Sequence, residues 1–299
     1  MAEKPTGYHY MMSERGRPTH QSSISATELK SRVRDHWERE VCGSRYGEDF
    51  LTDRRRFFEE IERTRYHQDY MIPEFARFEE ARGKRVLEVG LGAGIDFIQW
   101  IRHGAITFGR DLTTASVEMV KERLALENLA ADVGLGDAED LGEFPDNFFD
   151  VYYSWGVLHH TPSPERAFAE AHRVLKPGGV LKIMLYHYPS VGVFLVWLVQ
   201  GPLRFRWIGP GRAYAHYVES PGTRAFSVAR IKTALGRLFD PESISCRTYL
   251  GSGDLLTHKR STRYSAAHWR LLQAVYPRWF VRRVLGHRLG SVLTVEATK

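Results

Sequence analysis

An α/β fold built on a mostly parallel sheet is predicted by three features of the sequence. Strand-forming residues at 85–89 lead straight into Gly90, Gly92 and Gly94, and an apolar helical pattern follows at once over 95–101. Strand-like and helical stretches then alternate as far as residue 186, the pattern of βαβ units whose helices cover both faces of a sheet. The triplet Pro177-Gly178-Gly179 reads as a strong stop before the last strand of that series.

Taken in order, residues 1–25 are polar and aperiodic and are expected to be flexible. Residues 27–40 are helical and charged, with Leu29, Val33 and Trp37 on one stripe. Two further helices are expected over 54–65 and 66–80, so that 26–83 forms a helical lid ahead of a core at 84–187. Within the core, strands are expected at 85–89, 107–111, 132–134, 149–154 and 180–186, with helices at 95–102, 114–127 and 164–175. The segment 188–299 should add a helix at 228–239, a strand at 243–250, a helical insertion from about 265 to 284 and a last strand at 291–297. It thus supplies insertions and the last two strands of the sheet.

Composition sets outer bounds. A hydrophobic content of 43% is that of a globular chain, and Cys42 and Cys246 offer neither a disulfide framework nor ligand spacing. A reducing, cytoplasmic setting is the expectation. No run approaches the roughly 18 apolar residues of a membrane span, the strongest, 191–199, being too short, and the N-terminus lacks a signal-peptide pattern. Charge is unevenly placed. Residues 1–186 carry 25 Lys/Arg against 31 Asp/Glu, whereas 187–299 carry 17 against 5, a net of +12. Either the C-terminal part meets something acidic or it is a solvated basic surface.

A glycine-rich turn between strand and helix brings backbone close to a ligand and turns helix N–H groups toward it, so residues 85–101 read as a nucleotide-type pocket. A dinucleotide loop would be spaced G-x-G-x-x-G. Here the spacing is Gly90-x-Gly92-x-Gly94, after the acidic Glu88. Asp111 closes the second strand about twenty residues on, where an acid can accept both ribose hydroxyls. Asp137-Ala138-Glu139 follows the third strand, 149–160 reads F-D-V-Y-Y-S-W-G-V-L-H-H, and 173–179 reads R-V-L-K-P-G-G.

In this order and spacing the segments resemble the class I S-adenosylmethionine-dependent methyltransferases, in their small-molecule (methyltransferase type 11) branch, over roughly residues 66–187. The resemblance implies a Rossmann-like, seven-stranded, mostly parallel sheet in the order 3-2-1-4-5-7-6. It implies S-adenosylmethionine as methyl donor and S-adenosylhomocysteine as product. It also implies that Glu88, with Gly90, Gly92 and Gly94, shapes the cofactor's amino-acid end, that Asp111 takes the ribose, and that Asp137, Ala138 and Glu139 surround the adenine. Ser154 joins the cofactor candidates, as does Tyr70 on the helix before strand one, with core packing the alternative for Tyr70. Two positions depart from the pattern. Arg110 fills a slot that is usually apolar. Asp96 stands where Thr or Ser is common, and either meets the methionine amino group or, the favoured reading, caps its helix. Asp150 is expected to order the start of its strand, and Glu170 to pair with Arg173 or cap local structure on its helix.

Ligands of open parallel sheets bind beyond the carboxyl ends of the strands, so acceptor contacts are expected from 154–160, 186–188, the lid, and the insertions at 188–226 and 251–289. Methyl transfer needs the nucleophile in line at about 3 Å in a dry site, and a base where the nucleophile carries a proton. His159, His160, Tyr186 and His187 are the candidates, although one of the histidine pair is expected to be structural. Trp155, Tyr188 and Trp197 are candidate acceptor walls. Arg204 and Arg206 could hold an anionic head bidentately, with Arg212 and the cluster 259–264 in reserve. The plainer reading of 191–207 is a core-facing helix. The expected acceptor is a small anionic or amphipathic molecule, such as a natural-product intermediate, a sugar or an isoprenoid. A nucleic-acid methyltransferase would use the basic C-terminal part, but Ser154-Trp155-Gly156-Val157 lacks the [DNS]-P-P-[YFW] pattern of amino-methylating enzymes, and no RNA-binding signature is present. A non-catalytic S-adenosylmethionine-binding partner and a nicotinamide oxidoreductase are weaker alternatives. No metal is expected. The acceptor, the methylated atom and the oligomeric state, a homodimer included, stay open.

Overall fold

The computed structural model describes residues 25–204, 207–217, 220–251, 278–280, 283 and 286–299. Its strands are β1 (Arg85–Val89), β2 (Ile106–Asp111), β3 (Asp132–Leu135), β4 (Phe149–Trp155), β5 (Leu175–Tyr186), β6 (Ser245–Tyr249) and β7 (Val292–Thr298). They form one seven-stranded sheet in the order β3-β2-β1-β4-β5-β7-β6. β1 to β5 run parallel, and β7 lies antiparallel between β5 and β6. This is the order the resemblance implies. Strand order reverses at β1 and β4, which opens a crevice at their carboxyl ends.

Helices α1 (Ala26–Arg39), α2 (Arg54–Gln68) and α3 (Ile72–Ala76) precede β1; α4 (Ile95–Arg102), α5 (Thr114–Glu127) and α6 (Pro164–Val174) link the parallel strands; α7 (Val191–Gln200), α8 (Pro210–Tyr217) and α9 (Val228–Leu235) follow β5. Several starts are fixed by a hydroxyl or carboxylate that accepts an otherwise unpaired helix N–H. Ser25 accepts from Glu28, Asp53 from Arg56, Thr113 from Ser116, Ser190 from Val193 and Ser227 from Arg230.

The pleat sorts side chains onto two faces. Leu87, Tyr152, Leu181 and Ile183 pack with Ala167 and Phe168 of α6 and Ile231 and Leu235 of α9. Their neighbours Val86, Tyr153 and Met184 face the other way, against Ile72 and Phe75 of α3 and Trp100 of α4. Arg110, the polar departure in β2, is buried because its charge is matched. It reaches Asp132 and Glu143 at 2.8 Å each, and its guanidinium lies 4.6 Å from the centroid of the Phe144 ring. Asp150 accepts from the Arg85 N–H at 2.8 Å and from Lys176 at 2.6 Å, so it does order the strand start; Glu170 pairs with Arg173 at 2.9 Å.

Three boundaries differ from expectation. The helix break expected after residue 65 comes after Gln68, and α3 restarts at Ile72. Pro73 has no N–H and is tolerated only in a first turn, which places the break just ahead of it. The Pro177-Gly178-Gly179 triplet does not precede the fifth strand but bulges within it. Leu175 pairs with Phe149 and pairing resumes at Val180 opposite Val151, while the Gly178 N–H is taken up by the Lys299 carbonyl at 2.7 Å. The helix expected to reach residue 239 ends at Leu235. The N-terminal residues 1–24, and most of the helix expected at 265–284, lie outside the described residues.

Lys182 of β5 is buried on the α3 face and donates to the Phe75 and Ala76 carbonyls, 3.0 and 2.7 Å away, at the end of that helix. Burial pulls its ammonium down to about 8, against Glu296, which favours the charge. The unfolded chain holds that proton up to about pH 10.4, so the native state gains stability from this group as pH rises from about 8. Lys182→Met should flatten the melting temperature against pH over that alkaline window. An unchanged slope would assign it to other groups.

Candidate cofactor and acceptor site

The turn after β1 is shaped by two glycines that nothing else could replace. Gly90 and Gly94 have φ of +83° and +70°. A Cβ at Gly90 would stand 2.1 Å from a Val157 methyl, and one at Gly94 would stand 2.8 Å from a Val120 methyl. Backbone conformation and space therefore both demand glycine. The Gly92 N–H donates to Asp111 Oδ2 at 3.2 Å, while Asp111 Oδ1 accepts from the Thr113 N–H at 2.9 Å and hydroxyl at 2.7 Å. Burial pushes the Asp111 carboxyl up, against these hydrogen bonds.

Beneath the turn lies a buried polar cluster drawn from four elements. Asp96 of α4 accepts from Tyr66 of α2 at 3.0 Å and from Tyr153 of β4 at 2.8 Å, and lies 3.4 Å from Arg65. Arg65 also holds Asp69 at 3.2 Å. The cap favoured for Asp96 is therefore not its role: no side chain caps α4, whose N-cap is Gly94, and the carboxylate is spent inside this cluster. Burial, then Asp96, raise both phenols, which stay neutral donors. Glu88, at the end of β1, is raised well above the usual carboxylate range by burial first and by Asp96 second, with Arg65 pulling the other way. Burial works against the Arg65 charge too, but Asp96 and Asp69 outweigh it. Glu88 Oε2, Arg65 Nε and the Trp100 indole N–H are buried without a well-formed hydrogen bond, the indole lying close enough to Glu88 to favour its charged form. Tyr70, the candidate on this helix, is 53% exposed on the turn beyond it; the tyrosine that enters the cluster is Tyr66.

Across the carboxyl ends of the strands lies α1. Its Lys30 reaches Asp137 at 2.5 Å and Glu139 at 2.8 Å. Burial lowers the ammonium, but the two carboxylates outweigh that and hold it above its ordinary value. Asp137 Oδ1 accepts the Glu139 N–H at 2.9 Å, Glu139 Oε1 accepts the Ser163 N–H at 2.5 Å, and Ala138 is buried in the core. Farther along α1, Glu38 accepts from the N–H groups of Thr114 and Ala115 at 2.9 and 3.0 Å, and Trp37 meets His160 with ring centroids 5.5 Å apart.

At the end of β4, His159 is fully buried, its centroid 4.1 Å from Tyr186 and 4.2 Å from His160. Neither ring nitrogen of His159 has a hydrogen-bond partner. Burial, then His160, lower it well below its ordinary value, so it is neutral at neutral pH. His160 Nδ1 is tied to Ser220 at 2.8 Å and Thr223 at 3.0 Å. The remaining candidates have these surroundings. The Ser154 hydroxyl donates to the Val89 carbonyl at 2.8 Å and is fully buried. Trp155 packs on Phe75 at 6.0 Å in the core, and the His187 ring binds the Gly290 carbonyl at 2.9 Å. Tyr188 is exposed, and the Trp197 N–H donates to the Ile208 carbonyl at 2.8 Å. Arg204 ends a short 3-10 turn, its side chain undescribed, and Arg206 lies outside the described residues, as does the cluster 259–264. Lys30, Arg65, Tyr66 and Tyr153 were not singled out as contacts from sequence. Lys30 and Arg65 sit on helices that were, but helical periodicity carries no sign of their partners.

A nucleotide-type crevice with an acid at the end of β2 and a glycine turn after β1 defines a class, and the comparisons name it. Residues 87–183 match the methyltransferase domain family. A phthiotriol/phenolphthiotriol dimycocerosates methyltransferase of Mycobacterium ulcerans is 41% identical over 104 residues, 34% of this chain and 37% of its own length. A ubiquinone biosynthesis O-methyltransferase of Coxiella burnetii is 28% identical over 160 residues, 50% of this chain and 68% of its own length. A chain from the complex of the Haloferax volcanii Trm112 methyltransferase activator with a methyltransferase superposes with a TM-score of 0.57 at 17% identity, covering 89% of this chain and 96% of that one; at that identity it speaks for the fold. Over residues 87–183 the chain resembles the methyltransferase domain of class I S-adenosylmethionine-dependent enzymes, and it spans only 37% of the length of the mycobacterial relative. No helix among the described residues is long and apolar enough to cross a membrane.

Proposed function

We propose that the protein transfers the methyl group of S-adenosylmethionine to a small anionic or amphipathic acceptor. One observation carries the cofactor assignment. A buried carboxylate oxygen of Glu88 and a buried N–H of Arg65 stand without a well-formed hydrogen bond in one cluster, and buried polar groups are rarely left so. Together they match the ammonium and carboxylate of a free amino acid, the pole that distinguishes S-adenosylmethionine from a dinucleotide. The ribose then falls to Asp111, and the adenine to the region of Asp137, Ala138 and Glu139. There α1 acts as the lid, Lys30 neutralising the two carboxylates.

Bound there, the cofactor would present an electrophilic methyl on a sulfonium sulfur. The chain's residues hold the acceptor in line, exclude water and take its proton. His159 is the base: it is neutral, dry and without another hydrogen-bond commitment. Tyr186 packs against its ring and keeps it oriented. The acceptor class is supported by the relatives, which are named for a mycobacterial dimycocerosate and for ubiquinone biosynthesis.

Calorimetric titration with S-adenosylmethionine and S-adenosylhomocysteine tests the reading. Both should bind, and Asp111→Ala should weaken each by about 1–3 kcal/mol, the cost of losing hydrogen bonds to a charged group. Absence of binding to the folded protein would overturn it.

A further inference from the structure

Asp96 lies in the buried cluster beneath the glycine turn, yet the cofactor reading gives it no part. It is buried in the first turn of α4. Both of its oxygens are engaged within the protein. Oδ1 accepts from Tyr66 at 3.0 Å, while Oδ2 accepts from Tyr153 at 2.8 Å and lies 3.4 Å from an Arg65 nitrogen. The phenols come from α2 and β4. Two donors from separate elements, one on each oxygen, hold the carboxylate against rotation. A carboxylate so committed is poorly placed to receive a ligand's ammonium, which is left to Glu88.

What the fixed carboxylate holds is Arg65. Asp96 lies 3.4 Å from Arg65 Nη2, and Asp69, the residue that ends α2, lies 3.2 Å from Nη1. The Trp155 ring centroid is 5.8 Å from the guanidinium carbon. A guanidinium is planar and rigid, so fixing its two terminal nitrogens also fixes the direction of the Nε–H. That Nε–H is the one left buried without a partner. Arginine carries a long, flexible stem, and ordering it on binding would lower affinity. In this chain the ordering is done in advance by the two acids.

We propose that Asp96 is a positioning residue that acts through Arg65, aiming the Arg65 Nε–H at the carboxylate of the cofactor's amino-acid end. Asp96 itself touches neither cofactor nor acceptor. The inference rests on the methyltransferase reading. Asp96→Asn keeps the shape but not the grip. An amide has one oxygen to offer two phenols, and its NH2 group must face a phenol or Arg65. Two effects then compete. Loss of the ion pair releases the guanidinium, which weakens the hold on a carboxylate. Loss of the negative charge leaves Arg65 more positive, which strengthens it. Positioning predicts that the first effect wins.

The test is calorimetric titration of the full chain with S-adenosylhomocysteine and with 5′-methylthioadenosine. Both are uncharged at sulfur, and the second lacks the amino-acid arm. Asp96→Asn should weaken S-adenosylhomocysteine on the order of tenfold, as when a hydrogen bond to a charged group is lost, and leave methylthioadenosine unchanged. A merely structural role would weaken both ligands alike. In an Arg65→Gln background Asp96→Asn should have no further effect, because residues acting through one path are not additive. Asp69→Asn, at the end of α2, should show the same selectivity and serves if Asp96→Asn does not fold. Equal loss for both ligands, no loss, tighter S-adenosylhomocysteine binding, or full additivity with Arg65→Gln overturns the proposal. These outcomes leave the methyltransferase reading standing where the wild type still prefers S-adenosylhomocysteine to methylthioadenosine. A wild type that binds neither ligand removes that reading and the positioning role together.

Discussion

Glu88→Gln should raise the melting temperature of the cofactor-free protein and, in the same preparation, weaken S-adenosylmethionine. The two effects have one cause. The Glu88 carboxyl is held well above 4.5 by burial and by Asp96. A carboxyl whose folded value exceeds its unfolded one contributes stability that is fully present below the unfolded value. That stability is lost as pH rises toward the folded value. At neutral pH the unliganded chain therefore bears a cost that a neutral amide of the same shape removes. The cofactor's ammonium would relieve the same cost by supplying a cation to the Glu88 oxygen that lacks a well-formed hydrogen bond. A hydrogen bond to a charged group contributes about 1.5–3 kcal/mol, so affinity in the variant should fall on the order of 10- to 100-fold. Binding to the wild type should also release a proton from Glu88, visible as a dependence of calorimetric enthalpy on the buffer's ionisation heat, and the variant should lack it. Unaltered affinity with unaltered proton release would take Glu88 out of the cofactor site.

Local signals were legible in the sequence, and pairings at a distance were not. The bounds of β1, α4 and α5 coincide with expectation because glycines, caps and periodicity act within a few residues. The sheet order came from resemblance rather than from pattern. Sequence favours a cap for Asp96 because any acid in a first helical turn is favourable; its hydrogen-bond partners Tyr66 and Tyr153 are 30 and 57 residues away. Lys30 and Asp137 are 107 residues apart, and neither position announces the other. Ser154 and His187 show the same limit from the other side. Both lie at the carboxyl ends of strands, where ligands bind, yet the Ser154 hydroxyl and one ring nitrogen of His187 are engaged by the carbonyls of Val89 and Gly290. Whether a hydroxyl or a ring faces backbone or ligand depends on a single rotamer, which residue identity does not encode.

The same uncertainty surrounded His159 and His160, and the structure separates them by their partners. His160 is engaged by Ser220 and Thr223, whereas His159 has neither nitrogen satisfied. His159→Gln should therefore lower kcat by about 10²- to 10⁴-fold, the usual contribution of a positioned general base, with the affinity for S-adenosylmethionine unchanged. The acceptor for this assay is whichever amphipathic hydroxyl compound turns over in a screen. A purely structural histidine would move stability but not this ratio, and the pH dependence provides a second readout. Burial lowers His159, His172 and His187 below 6.5. An unfolded chain takes up those protons first, so native stability is present above pH 6.5 and is lost as pH falls below it. The glutamine variant should lose part of that acid sensitivity. Its rate should also no longer fall with the titration of a group below pH 6.5. If kcat survives within a few-fold, the proton goes elsewhere, and Tyr186, whose ring lies 4.1 Å from that of His159, is the next group to replace.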